Sequence, residues 1–360
     1  KKIMFDINFI KNTFCLKEEI IEHKWSSEDC EELYSLFEQN RNIRPCLFSV
    51  ETTNACNMTC EMCPRTTEMD RKIENMDKSI FKRISEQIFP HDRETYNSWI
   101  GFVENELGVH QEEISENHFY FFVSSRVITM HGFGEPVLDP YIQERVEIFS
   151  QKGIPTYFSC NPANIDLKKI ESLFHSGLSY IKFSIDSLSD TKMKEIRGRN
   201  ADFPAAYKKI LQVLDVKEER NYSTDIVVCM IMLNIEQEKE AEDFLRLWEG
   251  KDVYAYIKSQ DNQWYFQEQG SEKAKSHYED QYCEFPWTSL SVMVDGTVVP
   301  CTQDFNCEMP MGHTNDSSLE EIWNSEMYRQ FRMMHISGEF LPKYKCMERC
   351  DLKIVADFLS

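Results

Sequence analysis

Cys56-Asn57-Met58-Thr59-Cys60-Glu61-Met62-Cys63 separates three cysteines by three and then two residues, directly after the strand-like run Leu47-Phe48-Ser49-Val50-Glu51-Thr52. A tight loop with this spacing can wrap three thiolates around one face of a cuboidal [4Fe-4S] cluster, and thiolates are the usual ligands of such clusters. With three protein ligands the fourth iron stays open to a small molecule, so the loop points to chemistry as well as structure. Two blander readings fit the same residues. A structural zinc knuckle would need a fourth Cys or His and commonly a C-x2-C pair. Three unrelated buried cysteines would need no metal at all.

A chain of 360 residues with 41% apolar content is long enough for one large α/β domain and a smaller one. It has no apolar run long enough to span a bilayer, and no apolar segment follows Lys1-Lys2, so neither a membrane span nor a secretory signal is expected and the expected compartment is the cytoplasm. Thirteen cysteines in that setting read as reduced thiols available to metals, not as a disulfide framework. Beyond the first three, Cys283, Cys301, Cys307, Cys346 and Cys350 form a second group, while Cys15, Cys30, Cys46, Cys160 and Cys229 are scattered and read as small buried hydrophobes. A formal charge of −21 argues against nucleic acid as a partner and leaves room for a cationic substrate.

Residues 1–45 read as a helical preamble, with Ser27 placed to cap a helix through Phe37 and acids in its first turn. From 46 to 258, short β-rich runs alternate with amphipathic stretches, the mark of βα units around a parallel sheet. Six strands are expected: 47–52, 126–130, 155–159, 180–185, 225–233 and 253–257. Helices between them include Ile80-Phe81-Ile84-Ile88 and Ile170-Leu173-Phe174 spacings. In parallel barrels the active site forms where strands end, so residues just after each strand are the ones to read for function. An insertion at 91–122 carries Tyr96, Trp99 and Phe102, and its aromatics predict a folded lid or partner surface.

Residues 259–360 read as a polar linker followed by a cysteine-rich unit. Val292 and Val294, then Val298 and Val299, flank Asp295-Gly296, a strong hairpin signal. A hairpin would bring Cys283 and Cys301 into one site. Cys346 and Cys350, spaced for one helical face, would complete four ligands, with Cys307 a spare thiol or a replacement. A zinc site remains the alternative here.

The C-x3-C-x2-C loop resembles the cluster motif of the radical SAM enzymes, where the fourth iron chelates S-adenosylmethionine through its amino and carboxylate groups. Met62 stands where that family often has an aromatic residue, and a polarizable methionine can pack on an adenine ring. Gly132-Phe133-Gly134-Glu135-Pro136 resembles the family's GGEP motif, with the first glycine displaced by Phe133; the resemblance makes Gly134, Glu135 and Pro136 cofactor-binding. Phe183-Ser184-Ile185-Asp186 is similar to the segment that contacts the cofactor's ribose and carboxylate, and Ile196-Arg197-Gly198 to one whose arginine pairs with that carboxylate. Asn234, after the fifth strand, falls where adenine rests in the family.

The C-terminal unit resembles the auxiliary-cluster regions called SPASM and twitch domains. A full SPASM domain holds two clusters through seven cysteines, and five are present here, which implies one auxiliary [4Fe-4S] cluster. The implied fold is α/β: a partial (β/α)6 TIM-like barrel with a small C-terminal SPASM/twitch domain containing a β-hairpin. The implied chemistry is reductive cleavage of S-adenosylmethionine to a 5′-deoxyadenosyl radical, fed by an external electron donor such as flavodoxin or ferredoxin. The single auxiliary cluster and short preamble favour a small polar substrate, such as a sugar, aminocyclitol or nucleotide, undergoing net oxidation. A ribosomal-peptide maturase and a zinc-binding interaction protein are the alternatives. His131, Lys258, Asn262, Gln263, Trp264 and Tyr265 are weaker candidates to meet substrate.

Overall fold

The computed structural model describes residues 6–16, 30–89, 92–233, 237–259 and 282–344, together with Cys346, Cys350 and Val355. Its sheet begins with the six expected strands: β1 (Leu47–Val50), β2 (Ile128–Thr129), β3 (Thr156–Cys160), β4 (Tyr180–Ser184), β5 (Asp225–Met232) and β6 (Tyr254–Ser259). β2 is shorter than its sequence suggests because a 3-10 turn, Ser124–Arg126, occupies its expected start. Neighbours pair in parallel and in chain order from β1 to β6, each crossover carrying at least one helix, as βα units require.

Three further strands, β7 (Leu290–Val292), β8 (Thr297–Val299) and β9 (Gly312–His313), continue the same sheet beyond β1. The expected hairpin forms between β7 and β8, with Val292 opposite Val298. Gly296 turns it at φ +98°, a conformation open chiefly to glycine. Sequence alone did not indicate where the hairpin docks. β7 lies parallel to β1, pairing Val292 with Val50, so the hairpin extends the barrel sheet by a seventh parallel strand.

The strands sort side chains by alternation. In β4, Ile181 and Phe183 are fully buried in the core under the helices, whereas Lys182 and Ser184 turn to the barrel interior. Helix Lys78–Gln87 buries Ile80, Phe81 and Ile84, and helix Leu167–His175 buries Ile170, Leu173 and Phe174; the three-and-four spacing presents one apolar face to the sheet. Asp77, Asp166 and Asp202 cap their helices through backbone N–H groups, and Ser318 with Glu321 forms a capping box on helix Leu319–Trp323.

The preamble contributes helices Ile7–Phe14 and Cys30–Asn40; Ser27 lies outside the described residues. Phe9 stacks on Trp287 at 6.0 Å and Phe37 meets the same indole edge-on at 5.1 Å, joining the preamble to the segment before β7. The insertion folds. Its helix Arg93–Asn105 buries Tyr96, Trp99 and Phe102, and Trp99 donates to the Phe121 carbonyl at 2.9 Å. A π-type turn, Phe119–Val123, then carries Phe119 into the barrel, where its ring lies 5.4 Å from Tyr157 and 5.2 Å from Tyr256. Among the described residues no helix is long and apolar enough to cross a membrane.

Candidate functional site

The loop after β1 is held rigidly before it reaches the cysteines. Asn54 is fully buried, accepts from the Glu74 N–H at 2.7 Å and donates to the Lys72 carbonyl at 2.8 Å. Arg65 then closes the loop from the far side, donating to the carbonyls of Asn54 (2.9 Å) and Cys56 (3.2 Å). The turn after β2 clasps the same segment: Glu135 N–H donates to the Ala55 carbonyl at 2.7 Å, and a Cβ on Gly134 would fall 2.1 Å from the Thr53 carbonyl oxygen. Only glycine allows that approach.

Arg197 approaches the cysteine loop from the other side. Thr59 and Glu61 donate their N–H groups to the carbonyls of Arg197 and Ile196, at 3.2 and 2.9 Å, and a Cβ on Gly198 would overlap the Thr59 hydroxyl. The Arg197 guanidinium is buried, with Nε 2.5 Å from Asp186 Oδ2 and Nη1 3.9 Å from Cys60 Sγ. Burial opposes its charge, yet Asp186 and Cys60 together hold its pKa above the ordinary range. Asp186 is fully buried, and its other oxygen accepts from the Ile231 N–H at 3.0 Å. Both its oxygens are thus committed, and Asp186 bears on the site through Arg197. Ser184 Oγ lies 3.1 Å from Ser159 Oγ. Met62 is half-buried beside the third cysteine, and Asn234 lies outside the described residues.

Cys56, Cys60 and Cys63 are half-buried, and none of the thirteen cysteines is in a disulfide. Burial raises all three thiols, Cys63 to about 11, and each of Cys56 and Cys60 adds to that rise at Cys63. Such thiols become thiolates when a metal binds, and Arg197 and Arg65 supply positive charge beside them. Among the described residues no three His, Cys, Asp or Glu side chains gather on one point as a single ion requires. A cuboidal cluster is met by thiols spaced around it, and this donor set fits one.

The second group divides. Burial places Cys346 well above the ordinary thiol range, and the charges of Cys301, Cys350 and Cys283 raise it further, so these four thiols share one region. For Cys307, burial raises the thiol to about 12, Arg71 opposes the rise, and Asp304, which also acts on Cys301 and Cys346, adds to it together with Asp295 and Glu51. Its φ of +57° is unusual for a cysteine. The helical spacing expected of Cys346 and Cys350 falls on residues outside the described set.

Between the two cysteine groups the barrel encloses a cavity of about 320 Å³. Its lining includes Gly132 and Phe133 of the turn that clasps the first loop and Thr302, next to Cys301. Its lining comprises inward-facing residues of the strands, including Thr129, Tyr157, Lys182 and Tyr256, together with Glu116, Phe119 and Tyr120 of the insertion. His131 lines it too. Burial and the charge of Lys182 push the imidazole down to about 3, and its Nδ1 accepts from the Ser159 N–H at 3.3 Å, so Nε2 carries the proton. Lys258 lines the cavity, while Asn262, Gln263, Trp264 and Tyr265 lie outside the described residues.

Sequence reasoning passed over Lys182, Tyr157, Tyr256 and Glu51. A signal was present: a lysine between Ile181 and Phe183 in a strand buried on its outer face must turn inward.

The radical SAM superfamily model matches residues 50–247, and the model of an iron-sulfur cluster-binding domain, SPASM, matches residues 283–351. The S-adenosyl-L-methionine-dependent 2-deoxy-scyllo-inosamine dehydrogenase of Niallia circulans is 22% identical over 299 residues, covering 81% of this chain and 87% of that protein. A tungsten-containing aldehyde ferredoxin oxidoreductase cofactor-modifying protein of Pyrococcus furiosus is 21% identical over 352 residues, covering 86% of this chain and 88% of its own. Among solved structures, BtrN in complex with AdoMet and 2-DOIA superposes with TM-score 0.50 at 17% identity, over 84% of this chain and 92% of that one. Native anSMEcpe with bound AdoMet superposes with TM-score 0.51 at 12% identity, over 79% and 81%. The structural likenesses carry the partial-barrel fold; the family models carry the assignment. With an S-adenosylmethionine-binding [4Fe-4S] cluster and an auxiliary cluster implied by the two matched domains, the chain belongs to the radical SAM superfamily and carries a C-terminal SPASM domain.

Proposed function

We propose that this enzyme oxidises a small polar, hydroxyl-bearing substrate in the cavity between its two cysteine groups. The observation that carries this is the cavity's lining, which includes both the Gly132–Phe133 turn beside the first cysteine loop and Thr302 beside Cys301. A substrate there would lie near both a hydrogen-abstracting group and an electron acceptor. Its volume of about 320 Å³ suits a single ring with polar substituents. The dehydrogenase of Niallia circulans, named for an aminocyclitol, supports the same class.

In this reading Cys56, Cys60 and Cys63 hold the cofactor-binding cluster, and Cys283, Cys301, Cys346 and Cys350 hold the auxiliary one. When bound, the clusters and S-adenosylmethionine supply a 5′-deoxyadenosyl radical that takes a hydrogen atom from the substrate and an acceptor for the remaining electron, the hydroxyl proton leaving to solvent. Arg197, oriented by Asp186, would meet the methionyl carboxylate. The Gly134–Pro136 turn would offer backbone carbonyls to the methionyl amino group. His131, neutral with its proton on Nε2, donates a hydrogen bond to a substrate oxygen. Phe119 and Tyr120 line the cavity and would shield the reacting carbon from water. A reduced flavodoxin or ferredoxin is the fitting electron donor.

The test is anaerobic turnover of the reconstituted enzyme with S-adenosylmethionine, a reductant and candidate polyols, among them 2-deoxy-scyllo-inosamine. The reading expects 5′-deoxyadenosine together with a product two hydrogens lighter than its substrate. Release of 5′-deoxyadenosine only when a peptide is supplied would sink it.

A further inference from the structure

Ser49 and Ser291 stand side by side on β1 and β7, paired in register, and Thr129 on β2 is next in the same row. All three line the cavity and are buried. Alternation along the strands turns the two serines inward, because their neighbours Val50, Leu290 and Val292 are buried in the core under the helices. The backbone already joins these strands on either side of the pair. Leu290 N–H donates to the Cys46 carbonyl at 3.0 Å, and Glu51 N–H donates to the Val292 carbonyl at 2.9 Å. The rest of the lining contributed by these segments, Phe48, Phe285 and Met293, is apolar, so the two hydroxyls form a polar spot in an apolar setting.

Hydrogen bonding within the pair is half complete. Ser49 Oγ donates to Ser291 Oγ at 2.9 Å. Among the described residues the Ser291 hydroxyl then has no acceptor for its own proton, and Ser49 Oγ receives no donor. A buried hydroxyl proton left without an acceptor is costly, which makes a partner from the cavity favourable. The pair offers one proton and open lone pairs on adjoining oxygens. An alcohol uses both at once, accepting from one serine and donating to the other. A carboxylate takes only the proton, and an ammonium takes only the lone pairs.

We propose that the Ser49–Ser291 pair binds a hydroxyl of the substrate, the Ser291 proton going to the substrate oxygen and the substrate proton to Ser49. This rests on the reading that the cavity holds the substrate, and it names the group recognised there: a neutral alcohol, whatever other group the molecule carries elsewhere. Ser291 lies within the residues matched by the SPASM model, 283–351, so the C-terminal unit takes part in choosing the substrate as well as carrying cysteines.

Equilibrium binding to the cluster-loaded enzyme, with S-adenosylmethionine saturating, tests it. The probe is scyllo-inositol, whose hydroxyls are all equivalent, so that no orientation presents the wrong one. Cyclohexylamine and cyclohexanecarboxylate are rings of the same size with an amine or an acid and no hydroxyl. The expected result is that scyllo-inositol binds tightest of the three, and that its affinity falls about tenfold when Ser49→Ala and Ser291→Ala are combined, as for hydrogen bonds lost to a neutral group. Each single variant keeps one hydroxyl that can turn to the ligand and should lose less. Affinity for S-adenosylmethionine and iron content should hold in all three, whereas a pair that only braces β7 against β1 would disturb the cysteine loop after β1 and lower both. Affinity for scyllo-inositol unchanged in the double variant, a fall matched by S-adenosylmethionine affinity, tighter binding of either charged ring, or failure of scyllo-inositol to bind at millimolar concentration would overturn the inference. Because binding is read without turnover, absence of 5′-deoxyadenosine would overturn the proposed reaction and leave this result standing. Turnover of a polyol whose affinity is unchanged in the double variant would do the reverse.

Discussion

Glu51 and Arg71 form a two-pronged ion pair, Nη1 to Oε2 at 2.7 Å and Nη2 to Oε1 at 2.9 Å, at the junction of the two cysteine-bearing regions. Glu51 follows β1, five residues before Cys56, and also accepts from Phe133 in the turn after β2 and from Val294 at the hairpin tip. Arg71 donates onward to the Phe305 carbonyl at 2.6 Å, in the segment after Cys301. One carboxylate therefore ties the first loop to the unit that carries the second cysteine group.

Glu51→Gln removes the charge and leaves Arg71 buried without its counter-ion. Breaking a buried pair from one side costs roughly 3 kcal/mol. The expected outcome is a fall in unfolding free energy of that order, with looser docking of the hairpin. Denaturant unfolding under nitrogen measures the first, and hydrogen exchange of residues 290–299 measures the second. Unchanged exchange there would refute the tie.

Gly134→Ala tests the approach of the turn after β2 to the cysteine loop. The new Cβ would meet backbone, 2.1 Å from the Thr53 carbonyl oxygen, so the loop must shift. The first cluster should be lost and the second kept. Iron per chain is expected to fall from about eight to about four, the content of one [4Fe-4S] cluster, with folding otherwise preserved.

Glu135 gives a pH signature. Burial raises its carboxyl from 4.5 to about 7, even though the Asn161 N–H stabilises the charged form, and Oε1 has no hydrogen-bond partner among the described residues. The folded state keeps its proton where the unfolded chain has lost it. The resulting stability is fully present below pH 4.5 and disappears as pH rises through about 7. Glu135→Gln should remove this decline and exceed the parent at pH 8 by about 3 kcal/mol, the value of a shift of that size. Parallel pH profiles of denaturant unfolding decide it.

Sequence gave direct access to what backbone pattern and cysteine spacing control. Alternating runs marked all six barrel strands, and Asp295-Gly296 marked the β7–β8 turn. Properties set by tertiary contact stayed hidden. Nothing local says that β7 pairs with β1, because a short apolar strand can dock on any open edge. The aromatics of the insertion suggested a lid or partner surface, and what they pack on was hidden: Trp99 meets Phe121, and Phe119 meets Tyr157 and Tyr256 on β3 and β6. Glu51 read as an ordinary strand residue, since the four donors that hold it come from three separate segments.

Arg197→Lys tests the carboxylate-binding reading. Lysine keeps the charge but lacks the planar fork, so it cannot hold Asp186 and face a cofactor carboxylate together. Affinity for S-adenosylmethionine should fall about tenfold, or 1.4 kcal/mol. Iron content should hold, because Arg197 supplies no thiolate. Equilibrium binding and iron analysis on one preparation separate these effects.

Cys346 and Cys307 should behave differently under the same substitution. Cys346 is raised by burial and by Cys301, Cys350, Cys283 and Asp304, whereas the main influences on Cys307 are burial, Arg71, Asp304, Asp295 and Glu51. If the four neighbours hold the auxiliary cluster, Cys346→Ala should lose about four irons per chain and the associated visible absorbance. Cofactor cleavage at the first site should persist, while oxidised product fails to form, because the electron left on the substrate has no acceptor. Cys307→Ala should retain all the iron and lose little activity. Loss of iron in both variants would move Cys307 into the ligand set and require the loop after Cys301 to turn toward the other four thiols.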